Sequence, residues 1–172
     1  MSLLFILIPF VASAILLLLR PGASRQIALA ASLANLAATA YCTTCDYSQG
    51  MNCTFSVPWV ASAGISFSLG MDGITLLMLV LTNLLAPLIL LTSWSRTYDN
   101  EPRYYGLVML MLAALNGVFL AQDGLLFYVF YELALIPIYF ICAIWGGQDR
   151  IRVTLKFFIY TFVGSLFMLV AL

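Results

Sequence analysis

The sequence predicts an all-α membrane protein, a bundle of six transmembrane helices in a single domain over residues 1–172. Three observations predict it. Hydrophobic residues make up 64 % of the chain and charged residues 8 %, against about 45–50 % and about 25 % in a soluble domain. Apolar runs of near-constant length recur along the chain, and about 20 such residues cross a bilayer core of about 30 Å. Six of the seven positive charges fall in alternate connections between those runs, and the seventh, Lys156, lies just inside the last run. Together with a net charge of zero, this excludes a soluble domain, a disordered tail and a nucleic-acid binder, because no basic field exists to attract phosphates. The chain has no histidine, the commonest metal ligand and the usual acid or base near pH 7.

The six runs cover residues 2–19, 26–42, 74–94, 104–121, 125–145 and 153–172. Each can close its backbone hydrogen bonds within itself, as lipid requires. The first lacks a basic leader, and Arg20 follows it rather than preceding it; it reads as a retained helix and not as a signal peptide. The second is weakly apolar and places Ala30, Ala34 and Ala38 four residues apart, a flat face suited to close helix packing. Between the second and third runs, Phe55 and Val57 alternate with Thr54 and Ser56, and Ile65, Phe67 and Leu69 with Ser66, Ser68 and Gly70. Period-two alternation on either side of residues 58–63 predicts a short hairpin. Asp72 is placed to cap the third helix.

Arg20 with Arg25, Arg96 with Arg103, and Arg150 with Arg152 occupy alternate connections, and Lys156 lies just inside the last run. Positive residues mark the cytoplasmic side, so the N-terminus is expected outside. Trp94, Trp145, Tyr104 and Tyr105 fall at the inner ends of their runs, where an aromatic belt is expected.

Glu132 carries the sharpest chemical signal. It lies seven residues into the fifth run, about 10 Å below its outer end. Loss of hydration there favours the neutral carboxyl, and intramembrane acids mark ion paths. The structural reading is a glutamate bonded to an adjacent helix; an insertion cost of about 2.5–3.5 kcal/mol weighs against an idle one. Tyr128 shares its face at four-residue spacing and is a candidate hydrogen-bond partner or a packing residue. Pro137 frees the carbonyl of Leu133, and Pro87 that of Asn83. Lys156 either snorkels to the inner surface or serves as a relay. A vertical gap of about 12–15 Å to Glu132 is expected from helix rise. At about 12 Å and an effective dielectric of about 20, their coupling is about 1.4 kcal/mol. Asn35, Asn116 and Thr161 are polar stepping stones or, more commonly for such residues, links between helices.

Cys42, Cys45 and Cys53 gather near the outer mouth, where a disulfide could form in an oxidising compartment. The Cys42–Cys45 spacing lacks a second pair or a histidine, so no metal site is predicted. No glycine-rich phosphate loop or iron–sulfur cysteine cluster is present, so no cofactor site is predicted either.

The stretch from Gly117 through Gly124-Leu-Leu-Phe-Tyr-Val-Phe-Tyr-Glu132-Leu-Ala-Leu-Ile-Pro137-Ile-Tyr-Phe, then Ile144-Trp-Gly-Gly and Lys156-Phe-Phe-Ile-Tyr-Thr, resembles the antiporter-like membrane subunits of proton-pumping NADH:quinone oxidoreductase, respiratory complex I, at its subunit M, or chain 4. Ile65-Ser-Phe-Ser-Leu-Gly-Met-Asp-Gly-Ile and Leu7-Ile-Pro-Phe agree. The resemblance implies that Glu132 is a proton-relay residue. It implies that the other membrane-arm subunits are partners, and that NADH, FMN, iron–sulfur clusters and quinone reside in other subunits. It further implies an enzyme subunit without its own redox centre, in the bacterial cytoplasmic (inner) membrane in preference to the mitochondrial one. Tyr131 stands where the family commonly has tryptophan. Family members are much longer, and their glutamate pairs with a lysine on a seventh helix. The chain is therefore expected to be an N-terminal fragment, inactive alone. Two other readings compete: a related subunit of a sodium/proton antiporter or membrane-bound hydrogenase, and a non-catalytic membrane scaffold.

Overall fold

A computed structural model describes residues 2–44, 52–60, 65–96 and 98–171. The described residues form six helices: α1 (Ser2–Leu19), α2 (Ser24–Cys42), α3 (Gly73–Ser93), α4 (Glu101–Leu120), α5 (Gly124–Trp145) and α6 (Arg150–Ala171). The helices coincide with the six apolar runs. α4 and α6 start three residues early because helix geometry tolerates the charged residues at which an apolar run stops; in α4, Pro102 also sits at the helix start, where its missing N–H costs nothing.

α4 is the central element, packed against α1, α2, α3 and α5, while α6 packs on α5 at the edge. Gly106 brings α4 against Leu17 of α1, and Gly117 brings it against Phe130 of α5; a Cβ at Gly117 would lie 2.3 Å from the ring.

Three interhelical turns share one end of the bundle. Arg25 forms an ion pair with Glu101 and donates to the carbonyls of Trp94 (3.0 Å) and Arg96 (3.3 Å). Trp145 Nε1 donates to the carbonyl of Asp99 (3.1 Å). The arginines of alternate connections therefore lie together, as their spacing required. Tyr98, Tyr104 and Trp145 cluster at that end, with the Tyr98 and Tyr104 rings stacked at 4.0 Å. Tyr105 departs from the expected belt: it is 1 % exposed, because it is turned into the core against Ala12, Leu16 and Leu90.

The opposite end carries the hairpin, β1 (Asn52–Val60) antiparallel to β2 (Ile65–Met71). Phe55 faces Leu69 and Val57 faces Phe67, the residues whose alternation predicted the strands. β1 runs through Pro58, which the sequence assigned to the connection. The register shifts between Pro58 and Val60, and a bulge is where a strand accepts proline. The amide of Gln122 donates to the carbonyl of Ser68 (2.9 Å), tying the hairpin to the α4–α5 turn. Asp72 caps α3 as expected, accepting from the Thr75 amide at 2.7 Å. A disulfide among Cys42, Cys45 and Cys53, which the sequence left open, turns on Cys45 and Cys53, whose side chains lie outside the described residues.

Among the described residues, five helices are long and apolar enough to cross a membrane; α2 is not. α2 nevertheless runs the length of the bundle, from Arg25 at the positive end to Cys42 at the hairpin end. Its polar side chains lower its apolarity because Ser24, Ser32, Asn35 and Thr39 turn inward. The alanine face is correspondingly misplaced by the sequence reading: Ala30 and Ala34 are exposed and Ala38 is half-buried. Ala38 packs against the hairpin-end apolar cluster, while Ala30 and Ala34 face away from the bundle.

Candidate functional site: an intramembrane glutamate

Asp123 sets the start of α5 by accepting from the amides of Leu125 (2.9 Å) and Leu126 (3.4 Å). From there α5 continues unbroken through Pro137. Glu132 lies eight residues beyond Gly124, about 12 Å along the helix. It is half-buried on the side facing α6.

Its partner is Ser165. The Ser165 hydroxyl donates to Glu132 Oε1 and lies 2.8 Å from the carbonyl oxygen of Phe162 in its own helix. Ser165 is 4 % exposed, and Ser165 and Thr154 are the only buried residues of α6. Eleven residues apart, they share one face three turns along. A small polar residue at that spacing is the signal that the sequence reading passed over.

Tyr128 is half-buried on α5, and among the described residues no hydrogen bond joins it to Glu132; Ser165 occupies the role expected of it. Lys156 is exposed on α6. It precedes Ser165 by nine residues, so it lies about 13.5 Å along the helix from the level of Glu132, within the expected gap and beyond direct contact. Thr161 bonds back to the carbonyl of Phe157 at 2.8 Å, a local bond within the helix.

Asn35 and Asn116 lie away from Glu132 and link helices. Pro9 lacks an amide hydrogen, which frees the Phe5 carbonyl four residues earlier. Asn35 Nδ2 (3.3 Å) and Asn116 Nδ2 (3.0 Å) donate to that carbonyl. Asn35 Nδ2 also donates to Asn83 Oδ1 (2.9 Å), and Asn83 Nδ2 to Thr39 Oγ1 (3.1 Å). Four helices are thereby joined. Among the described residues, no group of three or more His, Cys, Asp or Glu is placed to hold a metal.

Residues 121–172, which contain Glu132 and Ser165, match the family described as "NADH:quinone oxidoreductase/Mrp antiporter, TM". The chain is 39 % identical over 143 residues to F(420)H(2) dehydrogenase subunit M of Methanosarcina mazei, covering 82 % of this chain and 29 % of that protein. It is 43 % identical over 123 residues to NADH-quinone oxidoreductase subunit M of Escherichia coli K12, covering 69 % and 24 %. A chain of respiratory complex I from Thermus thermophilus superposes with a TM-score of 0.88 at 34 % identity, covering 99 % of this chain and 35 % of that one. A chain of an archaeal membrane-bound sulfane sulfur reductase shares the fold, with a TM-score of 0.85 at 20 % identity. This chain thus spans about a third or less of the length of these relatives. Its apolar helices and bacterial relatives place it in the inner membrane. Through residues 121–172 the chain matches the NADH:quinone oxidoreductase/Mrp antiporter membrane family.

Proposed function

We propose that the chain is part of an antiporter-like, proton-translocating subunit of a membrane-bound oxidoreductase of the NADH:quinone oxidoreductase type, with Glu132 as its proton-carrying residue. The observation that carries this reading is the shared hydroxyl of Ser165, which has one hydrogen and two acceptors within reach.

When Glu132 is ionised, that hydrogen goes to its carboxylate. When Glu132 is protonated, the carboxyl O–H donates to Ser165 Oγ, and the hydroxyl hydrogen turns back to the Phe162 carbonyl. The hydroxyl can act as donor and acceptor at once, so neither state strands Glu132 without a partner in lipid. A cation brought near favours the first state and its withdrawal the second. Alternating access to the two water phases then converts the titration into transport. Lys156 is too far for direct transfer and acts at most through the field or through intervening water.

The end of the bundle that carries the arginines faces the cytoplasm on this reading; the partners are the other membrane-arm subunits of the complex, and the redox cofactors reside in subunits other than this one. The likeness to the F(420)H(2) dehydrogenase subunit leaves the electron donor of the complex as a matter for those partners.

Glu132→Gln in the full-length subunit, within the assembled membrane complex, tests the assignment. It removes the titration and keeps the shape. The expected result is strongly reduced proton-coupled turnover with assembly intact. Near-normal proton pumping and substrate oxidation would overturn it. Infrared difference spectra provide a second check: a Glu132 carboxyl unresponsive to pH and redox state would favour a scaffold.

A further inference from the structure

The asparagine junction lies apart from Glu132, between two apolar clusters. Asn83 falls between Leu79 of the hairpin-end cluster and Ala86 of the other, and Asn116 between Leu120 and Leu112 in the same order. Asn35, Asn83 and Asn116 are each 0 % exposed. Their hydrogen bonds are nearly all made internally. Both nitrogen and oxygen of the Asn83 amide are used, by Asn35, Asn116 and Thr39. Asn116 Nδ2 reaches the Phe5 carbonyl, and Asn35 Nδ2 reaches that carbonyl and Asn83. One atom is left over: Asn35 Oδ1 is buried and accepts no hydrogen bond from the described residues.

Reversing the Asn35 amide would not resolve this. It would set an oxygen against the Phe5 carbonyl and Asn83 Oδ1, two acceptors that now receive hydrogens. The placement of nitrogen and oxygen is therefore fixed by the surrounding network. An orphaned acceptor inside a polar node in lipid calls for a small donor, because no bulk water is present to serve it.

We infer that the junction of Asn35, Asn83 and Asn116 is a binding site for one buried water molecule, which donates a hydrogen bond to Asn35 Oδ1. A neutral ligand fits the chemistry. The node holds no ionisable group, and its amide hydrogens already fill the other acceptors, so a cation would meet N–H groups as well as oxygens. A buried water needs two or more polar partners. Ser2 Oγ is the other buried side-chain oxygen without a partner among the described residues. It lies on the same buried face of α1, one turn from Phe5, and takes the water's second bond directly or across a second water.

The inference does not depend on the role of Glu132. The test is a density map of the intact membrane complex, with the full-length subunit, at a resolution that shows ordered water. A peak within hydrogen-bond distance of Asn35 Oδ1 is expected. A well-ordered Asn35 with no such peak, or with Oδ1 reached by a protein donor, overturns the inference. Asn35→Leu provides a second measurement in the same complex. The peak should vanish while Asn83 and Asn116 stay paired; a peak that persists assigns the water to other residues and overturns the inference as well. If that variant does not assemble, the unmodified complex alone decides.

Discussion

Ser165 on α6 gives its hydroxyl to Glu132 on α5, so the edge helix supplies the hydrogen-bond partner of the intramembrane acid. Removing it should be felt in the chemistry more than in the fold. A neutral hydrogen bond contributes about 0.5–1.5 kcal/mol, which corresponds to a two- to tenfold change in a rate that depends on it. Ser165→Ala is expected to lower proton-coupled turnover by about that factor and to move the infrared carboxyl band of Glu132. Ser165→Thr keeps the hydroxyl and should restore both. An unchanged carboxyl band in Ser165→Ala would show that the hydroxyl does not serve Glu132.

The position of α5 depends on Gly117. Its missing side chain admits the ring of Phe130, two residues before Glu132, and any Cβ there would overlap the ring carbons. Overpacking of this kind costs about 1–3 kcal/mol. Gly117→Ala should therefore lower the thermal stability of the detergent-solubilised complex and reduce turnover by displacing Glu132. Gly117→Ala combined with Phe130→Leu should recover part of the loss. A single variant with unchanged stability would show that α5 shifts freely on α4.

The membrane runs were legible because lipid imposes a length and an apolarity on each helix, and the structural ends differ from the sequence expectation by three residues or fewer. The direction each helix faces was less legible. Period shows which residues share a face, but in lipid both the packed and the exposed faces are apolar, so apolarity does not separate inside from outside. That is why the flat face of Ala30 and Ala34 was assigned to packing and lies exposed, and why Tyr105 was assigned to the belt and lies in the core. Glu132 was legible from its cost alone. Ser165 was not, because serine in a membrane helix carries little cost and commonly bonds back to its own helix. The asparagines were visible singly. Their convergence depends on the carbonyl that Pro9 frees on a different helix, and spacing within one helix cannot show it.

Arg25 holds the positive end together through Glu101 and two backbone carbonyls. The ion pair is partly exposed, and solvent screens such pairs. The two carbonyl contacts tie α2 directly to the backbone of the α3–α4 turn. Arg25→Gln should therefore loosen the α3–α4 turn more than Glu101→Gln does, since the latter leaves the carbonyl contacts in place. Limited proteolysis at residues 94–101 reads the difference. Equal sensitivity in the two variants would mean that the ion pair, and not the carbonyls, fixes the turn.

Asp72 couples the hairpin to α3. The Thr75 amide donates to its carboxylate and holds it below the ordinary carboxylate range. A group lowered in the folded state stabilises the fold above its ordinary value, and that contribution is lost as pH falls through the lowered one. Asp72→Ala is expected to cost about 1 kcal/mol at neutral pH, as the loss of a helix cap does. The gap between the two proteins should narrow as the pH falls below about 4, where Asp72 of the unfolded chain takes up its proton, and close once the folded cap is protonated at its lowered value. Thermal unfolding of both proteins across that range supplies the measurement. A gap that stays constant into strong acid would mean that Asp72 acts by shape and not by its charge.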